Sequence, residues 1–121
     1  MTTQQVADRL VEMVRTGKSD DAYLELFAEN ASSHEMPGVP GGDVQGRDNL
    51  IQKSKKWAEN VAEIHTLTVT DPLIHGEFFT VGMSIDLTKK DGGRTGLEEE
   101  ICVYHVRDGK IQSERFVYAM G

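Results

Sequence analysis

Apolar residues recur at helical spacing through the first half of the chain and alternate with polar ones through much of the second. Val6, Leu10, Met13 and Val14 fall three or four positions apart, which predicts a helix over residues 3–16, stopped by Gly17. The stretch "KSDDAYLELFAEN" predicts a second helix. Ser19 suits its N-cap, Asp20 and Asp21 suit the positive end of its dipole, and Tyr23, Leu24, Phe27 and Ala28 form its apolar stripe. A loop, "ASSHEMPGVPGGDVQG", follows, with a short strand over residues 31–36. A third helix is expected over residues 47–60, with Leu50, Ser54, Trp57, Ala58 and Val61 on one face.

Four strands are then expected, over residues 64–70, 78–88, 97–106 and 111–118. They are separated by the turn-rich segments "DPLIHGE", "KKDGGR" and "RDGK". Helices followed by hairpin-linked strands predict an α+β fold with helices on one side of a mostly antiparallel sheet. Val81, Met83, Ile85 and Leu87 make one apolar face, while Ile101 and Val103 suggest a second. A sheet with a wet outer face alternates more cleanly than this, so a homodimer through the outer face is expected.

The last hairpin raises a question of direction, because Glu98, Glu100 and Glu114 lie on its strands. A two-residue loop at Asp108-Gly109 sets Arg107 opposite Lys110. A three-residue loop closed by a left-handed Gly109 sets Val106 there instead. The two registers differ by one residue, which exchanges the faces of the whole second strand. In the three-residue register Glu100, Cys102 and Tyr104 share a face with Glu114, Phe116 and Tyr118; Ile101, Val103, Ile111 and Val117 take the other. Pattern alone favours the Ile/Val face as the core, with the glutamates in water.

Composition narrows the partners. The chain has 121 residues, enough for one domain, and a net charge of −7. That balance argues against nucleic acid and anionic membrane as partners. No apolar run is long enough to span a bilayer, the first residues lack a signal-like apolar region, and Cys102 has no cysteine to pair with; a cytoplasmic protein is the expectation. No zinc-like Cys/His spacing and no phosphate-cradling glycine motif occurs, so neither a metal nor a cofactor is expected.

The order of elements, with "LFAENA" closing the second helix and "VYHVRDGKIQSERFVY" at the end, resembles the SnoaL-like (polyketide cyclase-like) branch of the nuclear transport factor 2-like superfamily. The resemblance covers nearly the whole chain and implies a single SnoaL-like domain over residues 1–121. It also implies a cystatin-like cone, with a curved sheet wrapped around three N-terminal helices and an internal pocket. In relatives of this type dimers form through the outer sheet face. The positions matching Glu100, Cys102, Tyr104, Glu114, Phe116 and Tyr118 face the cavity, which reverses the preference from pattern alone. Glu35 falls where ketosteroid isomerase carries its carboxylate base. That enzyme's second carboxyl and its oxyanion-binding tyrosine match positions near Cys102 and Val11, so both groups are missing from this chain.

The candidate chemistry is proton transfer. Glu35 is the candidate base, with adjacent His34 to orient it or act itself. Glu100 and Glu114, one diagonal step apart across the hairpin, are expected to share a proton as the second acid/base. Trp57, Tyr104, Phe116 and Tyr118 are the candidate ligand-binding residues, the tyrosines as donors to a developing oxyanion. The function expected is isomerase- or cyclase-like catalysis on a small apolar carbonyl or polyketide-like compound. The alternative is a small-ligand-binding protein of the same fold with no chemistry.

Overall fold

The computed structural model describes residues 1–120. In chain order its elements are α1 (Thr3–Arg15), α2 (Ser19–Leu26), β1 (Phe27–His34), β2 (Asp43–Gln45), α3 (Arg47–Glu59), β3 (Val61–Val69), β4 (Leu73–His75), β5 (Phe78–Lys89), β6 (Glu98–Arg107) and β7 (Lys110–Val117). Three helices pack on one face of a seven-stranded sheet ordered β2-β1-β7-β6-β5-β3, with β4 also paired to β5. Every described pairing is antiparallel except β1 with β7. The fold is α+β, as expected. Among the described residues no helix is long and apolar enough to cross a membrane.

Helix α1 opens on a capping box, in which Thr2 accepts from the Gln5 amide and Gln5 returns a bond to the Thr2 amide. Its Val6, Ala7, Leu10, Val11, Met13 and Val14 are buried. They meet the inner sheet face at Phe79, Val81, Cys102, Tyr104, Val106 and Ile111.

The second helix is shorter than its pattern. It stops at Leu26, and Phe27 already starts β1, buried but in extended backbone. Pairing of Phe27 with Ile111 of β7 outweighs the helical periodicity. The buried helical residues are Ala22 and Leu26, whereas Leu24 lies in solvent. On α3 only Leu50 is fully buried; Trp57 is 50% exposed and Ala58 is also exposed. That helix leans its middle, rather than its whole apolar face, on the core. The short strands β2 and β4 lie inside stretches whose Gly, Pro and turn residues predict loops.

The last hairpin joins features of both registers. Arg107 is paired with Lys110, so the loop has two residues, and Asp108 and Gly109 both have positive φ (54° and 73°). This is the twist a tight hairpin prefers. One position further on, Val106 pairs with Ile111 but His105 with Ser113, leaving Gln112 as the extra residue of a β-bulge. The Gln112 amide donates to the Arg107 and Lys110 carbonyls, pinning the bulge over the turn. The expected three-residue loop is therefore replaced by a two-residue loop plus a bulge. Face parity comes out the same, so Glu114, Phe116 and Tyr118 share the inner face with Glu100, Cys102 and Tyr104. The bulge also turns Ile111 inward, where it is fully buried, rather than outward with Ile101 and Val117.

Gly109 is doubly constrained. Its φ is left-handed, and a Cβ there would meet the Met1 nitrogen at 2.9 Å. Gly109→Ala is expected to destabilise the fold by about 1–3 kcal/mol, read as a lower urea midpoint at unchanged slope.

Candidate functional site

Pairing places the residues of interest. On β1, Ser33 is the register partner of Glu114 on β7, and both are buried. The inner face of β1 thus continues from Ser33 to Glu35, just beyond the strand. The amide of Glu35 is fastened to the Gly42 carbonyl. Helix α3 contributes Lys53, one turn after buried Leu50.

The result is a connected polar chain. The Lys53 ammonium lies 3.1 Å from Glu35 Oε1 and donates to Ser33 Oγ at 3.2 Å. The Tyr118 hydroxyl donates to Glu35 Oε2 at 3.0 Å. Lys53 also sits 5.4 Å from the centre of the Phe116 ring, within cation–π range. Deeper in, the Tyr23 hydroxyl donates to Glu114 Oε1 at 3.1 Å.

Burial sets the protonation of this chain. Glu114 is 3% exposed, and loss of water pushes its carboxyl up to about 7. Hydrogen bonds from Ser33 and Tyr23 and the charge of Lys53 oppose the rise, while Glu35 adds to it. Burial thus keeps the proton on Glu114 well above the pH at which an ordinary glutamate loses it. Glu100 is also raised, first by burial and then by the negative charges of Glu35 and Glu98, against a weak thiol contact from Cys102 Sγ at 3.6 Å. Tyr23 is pushed well above the usual phenol range by burial and by Glu114. Tyr118 is raised by desolvation and its bond to Glu35.

Of the candidate residues, the structure brings together Glu35, Glu114, Phe116 and Tyr118, with Glu100 on the same face. Glu100 and Glu114 do not form the expected direct pair. The bulge shifts β7 so that Tyr104 lies opposite Glu114 and Cys102 opposite Phe116. Each glutamate is coupled instead to Glu35 and Lys53. Tyr104 is a core residue, stacked on Phe79 at 4.7 Å and edge-on to Phe27. Strand alternation sends His34 to the opposite face from Ser33, where it bonds Asp43 and Ser32 and leaves Glu35 untouched. Trp57 lines a cavity of about 460 Å³ together with Val61, Ile85, Leu87, Thr95 and Glu98. Its lining includes none of Glu35, Lys53, Glu100, Glu114, Phe116 and Tyr118.

Sequence reasoning missed Lys53, Ser33 and Tyr23. Only the one-turn spacing of Lys53 from Leu50 hinted that it points inward. Nothing local marks Ser33 or Tyr23, whose partners lie across the fold. Among the described residues no three His, Cys, Asp or Glu side chains converge to hold a metal ion.

A SnoaL-like domain model matches residues 1–118, so the chain belongs to the SnoaL-like family. A Mesorhizobium loti protein assigned as a SnoaL-like polyketide cyclase is similar at 33% identity, with 98% of this chain and 100% of that one covered and a TM-score of 0.90. A Xanthomonas campestris protein of unknown function with a cystatin-like fold matches at 18% identity, over 99% and 92% of the two chains, with a TM-score of 0.79. A Catenulispora acidiphila protein of ketosteroid isomerase-like fold, solved in complex with trimethylamine, matches at 18% identity over 98% and 88%, with a TM-score of 0.75. The last two likenesses show the fold alone.

Because the folded Glu114 carboxyl holds its proton to about pH 7 rather than the ordinary 4.5, the native state binds more protons than the unfolded chain between those values. Stability from this group is complete below about pH 4.5 and is lost as pH rises through about 7. Glu114→Gln is expected to flatten that decline, on the order of 3 kcal/mol, in thermal melts at pH 5 and pH 7.5.

Proposed function

We propose that the protein is a cofactor-independent acid/base catalyst of the isomerase or cyclase type, acting on a small apolar carbonyl or polyketide-like compound. The observation that carries this reading is the Ser33–Lys53–Glu35–Tyr118 chain beside a Glu114 carboxyl poised near neutrality. A base and an acid held in different environments within one site can move a proton from carbon to oxygen at constant pH. Only protons move, so no redox group is called for.

In this reading Glu35 removes a proton from the carbon next to the substrate carbonyl. The charge developing on the carbonyl oxygen is met by the Lys53 ammonium, which has donors beyond the one on Glu35, and by the Tyr118 hydroxyl once Glu35 takes up the proton and releases it. Glu114, in its protonated form and held by Tyr23, gives a proton through the Ser33 hydroxyl to the enolate, and Glu35 passes the proton it removed back along Lys53 and Ser33 to Glu114, so both carboxyls end as they began. Glu100, on the same face, adds a second raised carboxyl beside Glu35. Phe116 and Trp57 supply apolar surface for the ligand body.

The rival reading is a small-ligand-binding protein without chemistry. It is favoured by one observation: both oxygens of Glu35 are already engaged, one by Lys53 and one by Tyr118. The two readings separate on Glu35→Gln. Catalysis predicts that hydrogen–deuterium exchange at the acidic carbon of a cyclic ketone, followed by nuclear magnetic resonance, falls about 10²–10⁴-fold while ketone affinity changes little. Exchange at the wild-type rate leaves only binding.

We also infer a homodimer through the outer face of β5, β6 and β7. Phe78, Ile101 and Val117 are each about half exposed there, and Ile101 is flanked by Val117 and Gly82 in the ladder. Ile101→Glu is expected to halve the mass found by sedimentation equilibrium.

A further inference from the structure

The outer face carries a second constellation, separate from the inner polar chain. Ser32 and His34 lie two apart on β1, so both side chains project from the same side of the sheet, opposite Ser33. Asp43, on edge strand β2, is the register partner of His34. His34 Nδ1 is 2.8 Å from Asp43 Oδ1, and His34 Nε2 is 2.9 Å from Ser32 Oγ.

These contacts fix the tautomer. An ionised carboxylate only accepts, so Nδ1 carries the hydrogen toward Asp43. In the neutral ring Nε2 is then bare and accepts from the Ser32 hydroxyl. A serine hydroxyl on a bare imidazole nitrogen, with a carboxylate holding the other nitrogen, is the arrangement that activates a serine nucleophile, and it is recognised by geometry rather than by fold.

We propose that Ser32, His34 and Asp43 form a second reactive centre that hydrolyses small activated esters. Ser32 Oγ attacks the ester carbonyl carbon while its proton passes to His34 Nε2. Asp43 stabilises the imidazolium, the carbon–oxygen bond to the alcohol breaks, and the leaving oxygen takes that proton. Water, deprotonated by the same nitrogen, then attacks the acyl carbon; the bond to Ser32 Oγ breaks, Oγ takes the proton back from His34, and the acid leaves. Arg115, the register partner of His34 on β7 and exposed on this face, supplies positive charge for the oxyanion. Ser32, His34 and Asp43 lie on the β1–β2 edge, next to the outer face of β7 that carries Arg115 and Val117. Asp43 and Arg115 are exposed, so the centre is open to solvent and suits small acyl groups rather than long ones. It shares no residue with the Glu35 site, so its success or failure leaves the reading of that site unchanged.

The test uses the full chain with p-nitrophenyl acetate and a fluorophosphonate probe. Expected are a burst of about one p-nitrophenolate per chain, probe attached to Ser32 in the tryptic digest, loss of both in Ser32→Ala, and a more than tenfold slower burst in Asp43→Asn. Thermal melts of both variants matching the wild type tie the losses to chemistry rather than unfolding. Hydrolysis by Ser32→Ala at the wild-type rate, probe attached at another residue, or no turnover above buffer would each overturn the proposal and leave the three side chains as a structural pairing.

Discussion

One extra residue in β7 governs what this protein presents to a ligand. A tight two-residue turn at Asp108-Gly109 would by itself send Glu114 and Phe116 to the outer face. The bulge at Gln112 restores their inward direction. It does so without losing Ile111 from the core, because Ile111 and Glu114 both face inward although three positions apart. Lengthening the turn would set the same parity while turning Ile111 outward. The bulge therefore serves the core and the polar chain at once, and the Gln112 side chain supplies the bonds that hold it.

That inward direction has an energetic consequence. Glu114 lies where water is excluded, and an unpartnered charge there would be costly. The fold meets this with Tyr23 from α2 and Ser33 from β1, and with Lys53 from α3 at one remove. Three elements thus converge on one carboxyl of β7, and its proton is left easy to move near neutrality. Groups that titrate in that range inside a closed fold are costly to keep for stability alone, which is why such groups mark functional sites. Glu35 shows the complementary solution: nearer the surface, it has both oxygens partnered, one by Lys53 and one by Tyr118.

The two faces of β1 divide the chemistry of the molecule. Alternation along residues 32–35 sends Ser33 and Glu35 to the helix side and Ser32 and His34 to the other. His34 and Glu35 are neighbours in sequence yet belong to different environments. The parallel pairing with β7 and the antiparallel pairing with β2 fix this split, since both neighbours constrain the same residues.

Local pattern carried a good deal. The stripe of α1, the start of α3, the strand character of β5, β6 and β7, and the α+β class all follow from periodicity and turn chemistry, which act over a few residues. So does the choice between two faces for Glu114, though not its outcome. Tertiary structure decided what depends on partners distant in sequence. Phe27 left its helix because β7 offered Ile111; Lys53 became part of the site because β1 delivers Ser33 and Glu35 beside it; and Trp57 stayed half exposed because α3 rests on Leu50. The parity of the last hairpin was settled by a bulge whose sequence, Ile111-Gln112-Ser113, looks like ordinary strand. Such a feature has no local signature, because its stabilisation comes from the faces it brings together and not from the residues that form it.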